Sequence, residues 1–472
     1  MIPVIPQPKK IVSKPGRVLP GPIEQNDGFK AVKAYEDYCL RFALRQGQTP
    51  VLCRRDETLA PGAYRLDCGE AVAAYAPDET GMHHALATLA LLTAAAGENG
   101  FGAVQIEDAP DYPYRGLMID TARIFHPLKN LLCYVDLCWL YKLSHLHIHF
   151  TDDQSYTLPS AAFPKLSTPG RSYTQAEIGE LVSYAESRGV QIMPEIDVPG
   201  HCRSFSEAYP AIFTAGGVGH IIAFTPRVFE AFETLFGELA GLFPASDRIH
   251  IGGDEADIAA WLKAEECLAY AAECGVPADG DARLSAERIY AVFIKKLSDI
   301  VLALGKTPVC WEGFCKEVNY LVPRTTEVFS WELFYQTTPE LTAGGYTLIN
   351  GSWMPNYIVY PRHVRPVEEL FNWSPRRFQA LHPGSPYRNA PYLMPRYDRL
   401  IGGQLLSWGD HGVNAPDPAA HLAGEFASIA ERLPATAEGV WNQDKTIGFA
   451  EFEQNRAALA FLNEAIRKPK TE

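Results

Sequence analysis

His250-Ile251-Gly252-Gly253-Asp254-Glu255 is the stretch on which the reading of this chain turns. It follows Asp247-Arg248-Ile249 and adds a second β-branched residue in Ile251, so it reads as a short buried strand delivering two carboxyl groups at its C-terminal end. In a regular strand neighbouring side chains point to opposite faces, so Asp254 and Glu255 can meet one ligand only if the backbone leaves its pleat there. Gly252 and Gly253 permit that departure. The plainer alternative is a solvated turn carrying two acids, and the rest of the chain has to decide between them.

Working outward, similar strand-like runs recur on both sides. They cover Arg115 to Asp120, His145 to Phe150, Val190 to Asp197, Arg248 to Gly253, Thr307 to Gly313, Glu327 to Trp331, Tyr346 to Trp353 and Leu400 to Trp408. Helical stretches separate most of them: Leu131 to Lys142, Gln175 to Arg188, Arg227 to Leu242, Ile258 to Cys274 and Ser285 to Leu304. Eight such units over about 350 residues predict an α/β chain whose larger part is a (β/α)8 TIM barrel, with its active site at the C-terminal ends of the strands. The polar, proline-bearing segment Glu107 to Pro113 suits a domain boundary, which divides the chain into a smaller mixed α/β domain (1–111) and a barrel domain (112–472). In the smaller domain a helix is expected over 29–47, a strand over Tyr64 to Cys68 and a helix over Gly81 to Ala96 with an apolar stripe. His83 and His84 are adjacent on that helix and point about 100° apart, so a structural role is expected for them rather than a shared metal. The Pro-, Arg- and aromatic-rich stretch from His363 to Tyr397 is longer than barrel connections usually are and reads as a functional insertion over the barrel mouth.

Composition narrows the function. A chain of 472 residues, 47% of them apolar, buries a large core without difficulty. Its formal charge of -14 argues against nucleic acid or an anionic membrane as partner and favours a neutral or small ligand. Ten cysteines without a Cys-x-x-Cys pair give neither a zinc-ribbon spacing nor a disulfide framework, and they read as buried small hydrophobes. No apolar run reaches the roughly 18 residues of a membrane span. The opening Met1-Ile2-Pro3-Val4-Ile5-Pro6 shows no basic-then-apolar leader, which leaves two readings of location: cytoplasmic, or exported with the signal removed. The oligomeric state is left open, a homodimer included.

The strand ends carry the chemistry. After the first strand come Asp120 and Arg123, after the second Asp152-Asp153-Gln154, after the third Glu195 to His201, and after the fourth Asp254 and Glu255. The fifth, sixth and eighth bring Trp311-Glu312, Trp331-Glu332 and Trp408-Gly409-Asp410, and the seventh brings Trp353 and Tyr357. Four of the eight tryptophans therefore fall at one end of the inferred barrel, although each alone could be a core filler. Indole faces stack on sugar C–H faces while carboxylates and arginine grip vicinal hydroxyls, so such a pocket suits a neutral carbohydrate. Cleaving a glycosidic bond takes one carboxyl group to protonate the leaving oxygen and something to stabilise the anomeric cation. Adjacent residues cannot easily flank the bond. A neighbouring Asp-Glu pair is better explained if the nucleophile is the substrate's own 2-acetamido oxygen, oriented by one acid while the other serves as acid and then base.

The chain resembles the family 20 glycoside hydrolases, the β-N-acetylhexosaminidases. The resemblance rests on His250 to Glu255, on His145-Leu146-His147-Ile148-His149-Phe150-Thr151-Asp152-Asp153-Gln154, on Pro194 to His201 and on Arg115 to Arg123. It implies that Glu255 is the general acid/base and that Asp254 orients the acetamido group. It further implies that Arg123 binds sugar hydroxyls, that Trp311, Trp331 and Trp408 wall the pocket, and that Tyr357 donates to the acetamido oxygen. Asp152 and His201 would form a relay reaching Glu255. Neither a metal nor an organic cofactor is implied. The expected partner is a glycan or glycoconjugate with a terminal β-linked N-acetylhexosamine.

The pattern has departures. Val359 stands where an outer-hydroxyl aspartate is usual in the family, Asp410 where a glutamate is usual, and Ser155-Tyr156 where Gly-Trp is usual. With Arg362, His363, Arg376 and Arg377 nearby in sequence, a 6-sulfated sugar is one reading and a solvated loop face the other. Two rival functions are a metal-dependent barrel hydrolase using the His145/His147 strand, and a non-catalytic sugar-binding protein on the same scaffold.

Overall fold

The computed structural model describes residues 3–44, 46–217, 219–276 and 280–467. All eight expected barrel strands form: Tyr114–Asp120, His145–His149, Gln191–Glu195, Arg248–His250, Thr307–Trp311, Glu327–Ser330, Leu348–Asn350 and Leu400–Ser407. Each pairs in parallel with the next, and the eighth pairs with the first from Gly402↔Tyr114 to Ser407↔Ile119, which closes the barrel. Most of their residues are buried on both faces, because inward side chains fill the barrel and outward ones meet the helix ring.

The smaller N-terminal region folds as a six-stranded mixed sheet with helices Ala31–Arg41 and Glu79–Ala96. The first of these ends well short of the expected 29–47. In Glu79–Ala96, opened by Asp78 capping Gly81 N–H, 13 of 18 residues are buried rather than a single stripe. The helix lies between its own sheet and barrel helix Leu128–Leu140, so it has no wet face. His83 and His84 are spent there: the first accepts from Trp139 Nε1, and the second meets Gly62 O and Arg115 Nη2.

The expected helix Ile258–Cys274 is two pieces, a 3-10 turn over Ile258–Lys263 and a helix over Glu265–Glu273. The insertion after the seventh strand holds a short helix, Val367–Phe371, and a two-stranded ribbon, and its His382 ring stacks on Phe334 at 3.8 Å. No helix among the described residues is long and apolar enough to cross a membrane.

Candidate active site

The fourth strand stops at His250, and the next residues turn sharply. Gly252 and Gly253 take φ of +72° and +116°, and Glu255 itself takes +49°. At Gly252 a Cβ would drive into Asp197, so the close approach as well as the backbone demands glycine. This turn brings the two acids together: His201 Nε2 lies 3.9 Å from Asp254 Oδ2 and 3.5 Å from Glu255 Oε2. Asp254 is buried, whereas the Glu255 side chain is 57% exposed.

Behind the acids runs a continuous chain of ionisable groups. Glu195, at the tip of the third strand, is fully buried and meets His147 Nε2 at 3.1 Å, His149 Nδ1 at 2.7 Å and His250 Nδ1 at 2.9 Å, and accepts the Trp311 indole N–H at 2.6 Å. Strand register explains this gathering, since Glu195 lies opposite His149 on one side and His250 on the other. His149 Nε2 continues to Asp152 Oδ2 at 3.2 Å, and Asp152 Oδ1 faces His201 Nδ1 at 3.5 Å. Burial opposes a charged His201, but Asp197, Asp152, Glu255 and Asp254 outweigh it and hold that imidazole well above the usual histidine range. Asp197 flanks this chain and accepts Gly253 N–H at 3.2 Å, and burial together with neighbouring Asp254 pushes its carboxyl well up.

Arg123 is clamped between Asp120 (3.0 Å) and Asp152 (2.7 Å) and lies 5.1 Å over the Trp408 ring. Burial works against its charge, and Asp120, Asp152 and Asp410 more than offset that. Asp410, one residue past Gly409 in the loop after the eighth strand, is exposed. The aromatic residues form one cluster: Trp311 lies 6.4 Å from Trp331 and 5.9 Å from Trp408, and Tyr357 lies 5.9 Å from Trp408 and 4.3 Å from Trp353. Trp311 is fully buried, its indole anchored on Glu195 behind the other two. The Asp254 Oδ1, Tyr357 hydroxyl and Trp408 Nε1 are buried and make no hydrogen bond of normal geometry with other described residues. Buried polar atoms are costly when unpaired, and three of them shared between the acid pair and the aromatic cluster mark a place for a polar ligand.

Sequence reasoning passed over Glu195, His149 and His250 as a cluster, and the signal was a lone acid in an apolar strand beside a strand of alternating histidines. It named Glu312 only as a strand-end acid suited to a sugar. This fully buried carboxylate accepts the backbone N–H of Trp331, Leu333, Phe334, Tyr335 and Gln336, so it pins the whole loop that carries Trp331. Glu332 in that loop takes His382 N–H at 2.9 Å from the insertion. Val359 is buried in the aromatic cluster, and His363 and His411 lie 6.5 Å apart at the same edge.

Among the described residues, three groups have donor atoms close enough for a cation: His147–Glu195–His250, His149–Glu195–Asp197 and Asp197–His201–Asp254. The first two share Glu195, whose oxygens are already taken up by the histidines and Trp311. His145 does not join His147; its ring stacks on Tyr114 at 4.5 Å and faces Asp247 at 3.8 Å. The ligand pair that a metal-dependent rival needs is therefore divided between two layers of the barrel.

A closed (β/α)8 barrel with an acid pair, a clamped arginine and a cluster of indoles at the C-terminal ends of its strands has its candidate active site where barrel enzymes carry theirs. Residues 112–444 match the model of the glycosyl hydrolase family 20 catalytic domain. A β-hexosaminidase of Akkermansia muciniphila is 32% identical over 459 residues, spanning 87% of this chain and 85% of that protein. The α subunit of bovine β-hexosaminidase is 29% identical over 347 residues. That match takes in 70% of this chain, which spans 61% of the bovine subunit's length. Among solved structures, a Bacteroides fragilis β-N-acetylhexosaminidase superposes with a TM-score of 0.80 at 21% identity, covering 98% of this chain and 96% of its own. A Vibrio harveyi exo-β-N-acetylglucosaminidase in complex with N-acetylglucosamine gives 0.79 at 23% identity, covering 99% and 78%. The chain belongs to glycosyl hydrolase family 20.

Proposed function

We propose that this protein is a retaining β-N-acetylhexosaminidase that removes terminal non-reducing β-linked N-acetylglucosamine or N-acetylgalactosamine from glycans or glycoconjugates. The observation that carries the reading is the asymmetry of the acid pair. Asp254 presents a buried, unpartnered oxygen, near enough to Tyr357 for its charge to act on that phenol, where an acetamide N–H finds an acceptor; Glu255 stands one residue outward, exposed to the bond to be broken. Asp254 accepts the acetamide N–H and steers its carbonyl oxygen to the anomeric carbon, while Tyr357 donates to that oxygen. As the new C–O bond forms, the glycosidic bond breaks and Glu255 gives its proton to the departing oxygen. The resulting oxazolinium is opened by a water whose proton returns to Glu255, and two displacements at one carbon retain its configuration. Arg123 and Asp410 hold the outer hydroxyls, Trp331 and Trp408 wall the ring with Trp311 behind them, and Asp152 with His201 orients Glu255. No cofactor takes part in these steps. The boundary that goes with this reading places the catalytic domain at 112–472, after a domain over 1–111.

The test is hydrolysis of both aryl N-acetylhexosaminides by the parent, Glu255→Gln and Asp254→Asn. Each variant is expected to lose about 10²- to 10⁴-fold in turnover, and a thiazoline that mimics the cyclised intermediate should inhibit the parent tightly. Release of the inverted anomer, followed by NMR, would refute the mechanism.

A further inference from the structure

We propose that the cleft leading outward from Glu255 is the leaving-group site and that it is shaped for an alkyl chain rather than for a second sugar. This rests on the hexosaminidase reading above, because it takes Glu255 as the proton donor: whatever hangs on the departing oxygen must then lie past that carboxyl. A cavity of about 450 Å³ begins at Gly253, Glu255 and Gly313 and runs between the 3-10 turn Ile258–Lys263 and helix Ala282–Ala303. That volume falls within the range of small-molecule sites.

The chemistry of its walls separates the two classes of leaving group. One wall offers Ala256, Ile258, Ala259 and Leu262, and the other offers Ala282 and Ala286. A sugar is held by broad aromatic faces and by paired polar groups for its hydroxyls, which is what the aromatic cluster inside Glu255 offers with Trp331, Trp408 and Tyr357. The cleft outside it is aliphatic. Of its two aromatic residues, Tyr290 is buried and donates its hydroxyl to Gly253 O, so only Tyr335 at the inner end presents a face. Its remaining charges are engaged with their own surroundings, Glu287 accepting Cys315 N–H at 3.3 Å and lying 3.9 Å from Arg283 on the rim. The alanines matter as much as the larger residues, since side chains longer than methyl at 259, 282 and 286 would occupy the space an alkyl chain needs.

The experiment is kcat/KM for ethyl, butyl, hexyl and octyl β-N-acetylglucosaminides and for the β-linked N-acetylglucosamine disaccharide. These alkanols are nearly equal as leaving groups, so differences along the series report burial of the chain. The expected result is a rise of about two- to fourfold per methylene until the cleft is filled, with the octyl glycoside surpassing the disaccharide. Placing a carboxylate on the exposed wall with Ala259→Asp should collapse the octyl-to-ethyl ratio, read within the variant so that any general loss of activity cancels. A flat series in an active parent, a disaccharide better than the octyl glycoside, or an unchanged ratio in the variant overturns the proposal while leaving the hexosaminidase reading intact. No hydrolysis of any of these substrates, or of aryl N-acetylhexosaminides, overturns both.

Discussion

The directions in which Asp254 and Glu255 are shifted in the unliganded site run opposite to what their proposed chemistry needs. Burial, then Glu255 and Glu195, push Asp254 above the ordinary aspartate value, against the pull of His201. Glu255 is held below the ordinary glutamate value, mainly by its hydrogen bond with His201 and in lesser part by the charges of His201 and Arg123. The reaction wants the reverse, an ionised Asp254 and a protonated Glu255. A bound sugar supplies the correction, since covering Glu255 strips water from its carboxylate and raises its pKa, while an acetamide N–H given to Asp254 favours its anion. The change is measurable in Asp254→Asn, where Glu255 is the acid left to titrate and keeps the hydrogen bond with His201 that lowers it. With a phenyl glycoside, whose leaving group needs the proton, kcat/KM of that variant should fall as pH rises through a value below the ordinary glutamate range. The fall in kcat, which reports the bound state, should lie at higher pH. Coincident limbs would show that the sugar does not retune Glu255.

At the scale of elements, the decisive piece is the turn after the fourth strand, and its two demands on glycine can be separated by substitution. Gly252 and Gly305 have nearly the same backbone, φ of +72° and +73°, but Gly305 follows helix Ala282–Ala303 with nothing within 4 Å of where an added methyl would stand, whereas Gly252 abuts Asp197 and the Val198 backbone. Gly305→Ala should therefore cost only the left-handed strain, about 1–2 kcal/mol. Gly252→Ala adds an unrelievable clash and should cost at least about 3 kcal/mol, with loss of activity; urea unfolding of the two variants gives the comparison, and equal costs would mean that the turn simply relaxes. Elements of this kind were legible from sequence where the signal was local. Eight strands were found because β-branched runs end in polar residues and glycine, and the acid pair was found because its glycines precede it. The break within Ile258–Cys274 was not, for Ala264 at the junction is a good helix former and only its tertiary setting extends it to φ −106°, ψ 114°. The anchoring of residues 331–336 on Glu312 was equally hidden, because five amides from one strand's loop converge on an acid from the neighbouring strand, a pairing that spacing along the chain does not encode.

Across the whole molecule, the N-terminal sheet, the barrel and the C-terminal helices are joined through buried ionisable groups. Lys142, at the end of a barrel helix, lies 3.8 Å from Asp108 of the N-terminal sheet and 4.8 Å over Trp441, whose own indole donates to Asp108. Burial brings this lysine down to about 8, so folding is increasingly favoured by it as pH rises from about 8 towards the unfolded value of about 10.4. The cysteines act in the opposite sense and are far more numerous. Nine of the ten have thiols pushed up, chiefly by burial, to about 11 for Cys39 and about 12 for Cys53, Cys68, Cys202 and Cys315. An unfolded thiol ionises near 8.5, so each contributes stability that is whole below that pH and is lost as pH climbs through the folded value. Each raised thiol can steepen the loss by up to about 1.4 kcal/mol per pH unit, the same size as the opposing gain from each base that burial lowers, which are Lys142, Lys445 and, from about pH 9, Arg115. Nine against three decides the sign. Set against a typical net stability of about 5–15 kcal/mol, even a part of that slope removes a substantial share of the protein's stability between pH 8 and 10, before the buried tyrosines add their share. Urea midpoints under reducing conditions at pH 8, 9 and 10 should fall steeply, and Cys68→Ala, whatever it costs at pH 8, should show a shallower fall than the parent. A midpoint that holds steady from pH 8 to 10 would mean that the buried thiols ionise in place, and that the core which presents the acid pair admits water far more freely than its packing implies.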